Sequence, residues 1–268
     1  MTGRHDPDAY AELGSVTKVL TGTVLMSLAE QGVLSLDDPI ERWSNAPHGT
    51  NITLNHLADH RSGLPRLPPD TGLWNPYKDF TRDRLHQLTG RLDTLVTAPA
   101  GEREEYSNFG YAVLGEALVT ATGQTYEQLV AEHVLAPLGL PSHAVTASPP
   151  ADQRLLAANW FGRKVAPWDM TGAILPAGGM WASTRTASLI LTGLLLDRKL
   201  GEPAPSWRRI GNPPLPLTYH NGGTRRSTIF TGALPDGRWV VVHRLSGDVR
   251  TIDRAGVAEL HAAHPSDA

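Results

Sequence analysis

The chain has no cysteine in 268 residues, which excludes disulfides, thiol nucleophiles and cysteine metal sites. Nor does it have an apolar run of membrane-spanning length: the longest, around Leu189 to Leu196, is interrupted by Thr192 and Gly193. The segment Met1 to Ala11 lacks the basic start, apolar stretch and small-residue cleavage site of an export signal, so a cytoplasmic protein is expected. No charge of one sign dominates. With 24 basic and 27 acidic residues, the net charge of −3 gives no reason to expect nucleic acid or a membrane as partner, and small-molecule substrates remain. No internal repeat is present, which argues against a solenoid. Lysine is scarce, with four against 20 arginines, so each lysine draws attention.

One lysine falls in Gly14-Ser15-Val16-Thr17-Lys18, which leads into Val19, Leu20, Val24, Leu25 and Leu28. That apolar spacing predicts an amphipathic helix ended by Gly32, with Ser15 at its N-terminus. Lys18, three residues on, shares a face with Ser15 about one turn away. A serine hydroxyl becomes a useful nucleophile only when a neighbour takes its proton. A lysine can do so only when burial or positive charge disfavours its ammonium form. With 14 serines and four lysines, chance supplies about 0.2 Ser-x-x-Lys spacings, and the chain has one. The alternative reading makes Ser15 a helix cap and Lys18 a solvated first-turn residue.

Further along, Val33 to Trp43 reads as an extended connector and Thr53 to His60 as a short helix stopped by Ser62-Gly63-Leu64-Pro65. His56 and His60 have the spacing of a metal pair. A zinc protease motif would need Glu at position 57, where Leu57 stands, so no metal is expected and both histidines read as structural, near a surface loop. Pro65 to Pro76 reads as an irregular loop around Trp74. Helices are expected over Thr81 to Leu92, from Phe109 to Gly123, over Thr125 to Leu135 and over Ala187 to Leu196. Pro141 to Pro176 has little periodicity, and its Trp160 and Trp168 read as wall or core, with core packing the expected role. Pro176-Ala177-Gly178-Gly179 reads as a tight turn, and Gly201 to Pro216, with prolines 203, 205, 213, 214 and 216, as a connector. Ser227 to Leu234 and Arg238 to Leu245, joined by Pro235-Asp236-Gly237, predict a β-hairpin, and Ile252 to Ala262 a closing helix. The fold class is therefore α+β.

Three stretches carry chemistry: Ser15 to Lys18, Tyr106-Ser107-Asn108 and His220-Asn221-Gly222-Gly223. Tyr106 could relay a proton as phenol or phenolate, Asn108 could orient Lys18 or a substrate amide, and a glycine-flanked backbone could donate to an oxyanion. Each also has an ordinary reading, as core tyrosine, helix cap and turn. A second Tyr-x-Asn, Tyr219-His220-Asn221, weakens that pattern alone.

Longer local matches resolve the ambiguity. They are Glu12 to Lys18, Ile52 to Leu57, Ser62 to Pro65, Tyr106 to Tyr111, Pro176 to Gly179 and His220 to Thr224. In these stretches the chain resembles the serine β-lactamase and penicillin-binding-protein superfamily, on the class C side with its esterases and D-amino-acid peptidases. The resemblance implies an antiparallel sheet flanked by helices in one domain over 1–268, with a helical lobe of about 35–180 inserted between the nucleophile helix and the C-terminal sheet. It implies Ser15 as acylated nucleophile, Lys18 as its base partner, Tyr106 as proton shuttle, and the Ser15 and Gly223 N–H groups as oxyanion hole. Asn108, His220, Asn221 and Gly222 would bind substrate, and no cofactor is implied.

The chain departs from relatives in places. Only 14 residues precede Ser15, where relatives carry a helix and two strands, so a sheet edge is expected bare and open to pairing with another chain as a homo-oligomer. Leu196 to His220 is shorter than usual, Asn221 stands where a hydroxyl residue is common, and Arg225-Arg226-Ser227 follows Thr224. The expected function is hydrolysis of an ester or amide through an acyl-enzyme, with His220 and the expected lack of export favouring esterase or amidase over cell-wall peptidase. The alternatives are a D-amino-acid carboxypeptidase or β-lactamase, and a shortened non-catalytic binding protein.

Overall fold

The computed structural model describes residues 5–72, 74–212, 215–245 and 247–262; Met1 to Arg4 and two of the connector prolines, Pro213 and Pro214, lie outside the described residues. Its centre is helix α1 (Thr17–Glu30), entered through a 3-10 turn at Gly14–Val16. The sequence predicts an amphipathic helix here, yet every residue from Thr17 to Leu25 is buried. The reason is position: helices pack along α1, Gly22 lies against Ser206 and Ala204, and Val19 and Leu20 face Ala187, Ile190 and Thr231, so this stretch has no solvent face.

On one side lie α2 (Leu54–Ala58), α3 (Arg82–Thr89), α4 (Asn108–Thr122) and α5 (Tyr126–Val130). Their starts follow from capping chemistry: the side chains of Thr53, Thr81, Ser107 and Thr125 each accept a first-turn N–H. The Pro176 stretch, expected as a turn, is a short helix, α6 (Leu175–Gly178), wedged against α4 and α1. Proline near its start is compatible with a helical first turn, because the missing N–H has no partner there.

Two antiparallel sheets complete the fold. In the first, β1 (Tyr10–Glu12) and β2 (Val145–Thr146) flank β3 (Trp181–Ser183). The second runs β4 (Arg208–Ile210), β5 (Leu217–Gly223), β6 (Thr228–Ala233), β7 (Trp239–Arg244), with β7 at one edge. The predicted hairpin is β6–β7, paired from Thr228↔Arg244 to Ala233↔Trp239.

Alternation along β6 splits the core. Ile229 and Ala233 join the main cluster with Ala187 and Ile190 of α7 (Thr184–Leu191), while Phe230 packs with Ile252 and Leu260 of α8 (Val249–Ala262). Among the described residues no helix is long and apolar enough to cross a membrane.

Two expectations fail outside this frame, that for Trp160 and that for the Gly201–Pro216 connector. Trp160 is 97% exposed rather than core, because Asn159 Oδ1 accepts from the Phe161 and Arg163 N–H groups and turns the chain outward. Trp168 is half-buried, packing against the main core cluster while lining a cleft wall. The Gly201–Pro216 connector also hides a strand, β4.

The seam between β5 and the turn before α1 is backbone on backbone. A Cβ on Gly222 would stand 2.0 Å from the Leu13 carbonyl oxygen, a contact no flexible side chain could relieve. Gly222→Ala is expected to cost about 1–3 kcal/mol through overpacking, read as a lower urea midpoint with an unchanged m-value.

Candidate active site

Gly14 has φ +49°, and a Cβ there would lie 2.8 Å from the Gly223 nitrogen, so glycine permits both the bend and the approach to β5. The 3-10 turn then carries Ser15 at the start of α1, where backbone N–H groups lack helical acceptors. The Thr224 N–H donates to the Ser227 carbonyl at 2.9 Å. Donor direction alternates along an antiparallel strand, so the Gly223 N–H points away from β6 and towards the Ser15 turn.

Lys18 is fully buried. Its Nζ lies 3.2 Å from Ser15 Oγ, 2.7 Å from Asn108 Oδ1 and 2.6 Å from the Ala177 carbonyl oxygen. None of these partners is a carboxylate. Burial, reinforced by the positive charge of Arg66, holds the ammonium well below its ordinary range. A neutral amine fits the geometry: two N–H bonds go to Asn108 and Ala177, and the lone pair faces Ser15 Oγ.

Tyr106 completes the arrangement by donating its hydroxyl to Ser15 Oγ at 2.6 Å. Burial pushes its pKa up to about 12 against the opposing effects of the Ser15 bond and Arg66, so it rests as a phenol. Asn108 opens α4, and its Nδ2 donates to the Tyr77 hydroxyl at 2.8 Å, which with the Lys18 bond fixes the amide. Ser15, Tyr106, Asn108, Asn221 and Gly223 share one cleft of about 510 Å³, with Arg66, Tyr77, Trp168 and Arg208 in its wall.

The third stretch is strand, not turn. His220 is 1% exposed and outside the cleft wall; its Nδ1 lies 2.7 Å from the Asn221 carbonyl oxygen. Burial is the main cause that pulls its pKa down to about 3, so the ring is neutral. Asn221 Nδ2 donates to both carboxylate oxygens of Asp253 at 2.8 and 2.9 Å. Gly222 lies against Leu13. Tyr219, from the competing Tyr-x-Asn, stacks on Phe230 with ring centroids 5.6 Å apart.

The two histidines of the α2 region have separate tasks. The His56 ring accepts from the Thr53 N–H within the α2 cap. His60, expected beside a surface loop, is buried. Its Nδ1 accepts the Ser107 N–H at 3.1 Å, its carbonyl accepts the Glu105 N–H at 2.7 Å, and its ring lies 4.3 Å from that of Tyr106. Both neighbours of Tyr106 are thus held by one residue. Sequence reasoning passed over this role, as it did those of Arg66, Tyr77 and Arg208. Arg66 sits in the loop read only as irregular, Tyr77 directly after it, and Arg208 in the supposed connector.

A serine beside a buried lysine and a tyrosine, set where helices meet an antiparallel sheet, defines a β-lactamase/transpeptidase-like protein. The Beta-lactamase family profile matches residues 1–244, and the chain belongs to that family. It is 33% identical over 187 residues to the D-alanyl-D-alanine-carboxypeptidase/endopeptidase AmpH of Escherichia coli, covering 67% of this chain and 47% of AmpH. The chain spans about half the length of the curated relatives it matches. Among solved structures, a β-lactamase/D-alanine carboxypeptidase from Yersinia pestis superposes with TM-score 0.78 at 24% identity, covering 96% of this chain and 84% of that one. An octameric penicillin-binding protein homologue from Pyrococcus abyssi superposes with TM-score 0.77 at 23% identity, covering 97% and 67%. Both show the same fold.

Two outcomes follow from the site. Tyr106→Phe removes the 2.6 Å donor to Ser15 and is expected to slow Ser15 acylation by roughly a hundredfold or more, measured as the rate of fluorophosphonate adduct formation on folded protein. Because the amine is the competent form and its pKa is lowered, the acid limb of that rate rises with pH through the Lys18 ionisation and levels off well below the pH of about 10 at which an ordinary lysine would still be climbing.

Proposed function

We propose that the chain is a serine hydrolase that cleaves an ester or amide through an acyl-enzyme on Ser15. The observation that carries this reading is the buried Lys18 amine on Ser15 Oγ with no carboxylate among its partners. Lys18 takes the Ser15 proton as Oγ attacks the carbonyl carbon, and the Ser15 and Gly223 N–H groups receive the oxyanion. Tyr106 then gives its proton to the leaving oxygen or nitrogen. In the second half the Tyr106 phenolate takes a proton from water, the resulting hydroxide attacks the acyl carbon, and the departing Ser15 Oγ recovers its proton from Lys18. Protons balance, and the enzyme ends as it began.

A second reading has its own support. Arg66 and Arg208 stand in the cleft wall, and no Asp or Glu is among its described lining residues. That polarity favours a substrate carrying a carboxylate, as a carboxypeptidase of the kind named for AmpH would take. Self-association also belongs to the proposal. Edge strand β7 is half-buried from Trp239 to His243, and the Pyrococcus abyssi relative is described as octameric.

Intact mass after incubation with a fluorophosphonate and, separately, a penicillin tests the proposal. An adduct in the wild type and none in Ser15→Ala is expected. Absence of any adduct on folded wild-type protein would overturn acyl-enzyme chemistry and leave the binding-protein reading, while reaction with penicillin would favour the carboxylate-bearing class.

A further inference from the structure

Glu12, the last residue of β1, takes no part in the proton steps and is nonetheless buried. Its Oε2 accepts from Thr224 Oγ1 at 2.9 Å, and Thr224 is buried as well. Position along the chain gives the bond its meaning. Glu12 precedes Ser15 by three residues, and Thr224 follows Gly223 directly, so the bond ties the segment bearing one oxyanion donor to the segment bearing the other. The remaining contacts across this seam, Leu13 on Gly222 and Gly14 on Gly223, are close backbone packing that limits approach from one side only. A hydrogen bond across the same seam resists separation.

We propose that Glu12 is a positioning residue that acts through Thr224 to fix the spacing of the Ser15 and Gly223 N–H groups. The proposal rests on the acyl-enzyme reading above.

Glu12 also brings a charge. Burial pushes its carboxyl up to about 7, against the opposing Thr224 bond, so both forms are populated near neutral pH. Thr224 can donate to either form. The ionised form differs in placing a negative charge beside the segment where the oxyanion develops, and in a buried setting like charges repel strongly. Among the described residues no charged group forms an ion pair with Glu12. Arg154 and Asp169 share with it a cavity of about 250 Å³. The Arg154 guanidinium is held by the Pro149 carbonyl and lies over the Trp181 ring on β3. Arg225, next to Thr224, donates to the Ala166 carbonyl. The protonated form is therefore the better catalyst, and acylation falls as pH rises through about 7.

The test is the pH profile and the kcat/KM split for hydrolysis of an activated p-nitrophenyl ester, with each variant's melting checked by circular dichroism. Glu12→Gln keeps an oxygen for Thr224 but cannot ionise, and its profile is expected to lose the alkaline fall. Thr224→Val and Glu12→Ala are expected to lower kcat roughly tenfold or more with little change in KM, and Thr224→Ser to recover most of it. A Thr224→Val enzyme with wild-type kcat, or an alkaline fall that persists in Glu12→Gln, would overturn the proposal. If Glu12→Ala does not fold, the near-isosteric Glu12→Gln and Thr224→Val decide. The two readings fail separately: no Ser15-dependent adduct sinks the hydrolase itself, whereas a Ser15-dependent adduct indifferent to Glu12 and Thr224 sinks only the clamp.

Discussion

Everything in the site depends on burying one lysine with three polar partners and no anion. An ammonium taken from water into a protein interior without a counter-charge costs several kcal/mol, which the group avoids by giving up its proton. The fold arranges for this. Helix α1 is enclosed by α4 and α6 on one side and approached by β5 near its start, so Lys18 has no path to solvent. Its partners come from places remote in sequence, Asn108 from the start of α4 and Ala177 from α6. Elements remote in sequence converge on the amine beside the cleft.

A second constraint is the backbone seam between the Ser15 turn and β5. The approach of Gly14 to Gly223, and of Leu13 to Gly222, leaves no room for a Cβ on Gly14 or Gly222. Main chain thus sets how closely the Ser15 turn and β5 can approach. Tyr106 is held with comparable economy, since His60 accepts from Ser107, receives Glu105 on its carbonyl and lies against the Tyr106 ring. Burial drives the His60 pKa down to about 2, which keeps Nδ1 an acceptor at every working pH.

Much of the helical half was legible from sequence, because helices announce themselves over ten or more residues and their capping residues are chemically distinctive. The β6–β7 hairpin was legible from its Pro-Asp-Gly turn. The strands β1, β3 and β4 were not: each has three residues, too few for an alternating pattern to register. β5 was hidden differently, since His220-Asn221-Gly222-Gly223 has the composition of a turn. The pairing of Ser15 with Lys18 follows from helical spacing and could be read locally. What Arg66, His60 and Arg208 contribute could not, because each acquires its role from a neighbour dozens of residues away.

The most direct test is the protonation state of Lys18 itself. With four lysines in the chain, selective nitrogen-15 labelling and Lys18→Met for assignment would allow its Nζ resonance to be followed by NMR through a pH titration. A change from ammonium to amine shift well below the pH range of the other lysines is the predicted result. An ammonium shift persisting to pH about 10 would contradict the account, because Ser15 would then have no base.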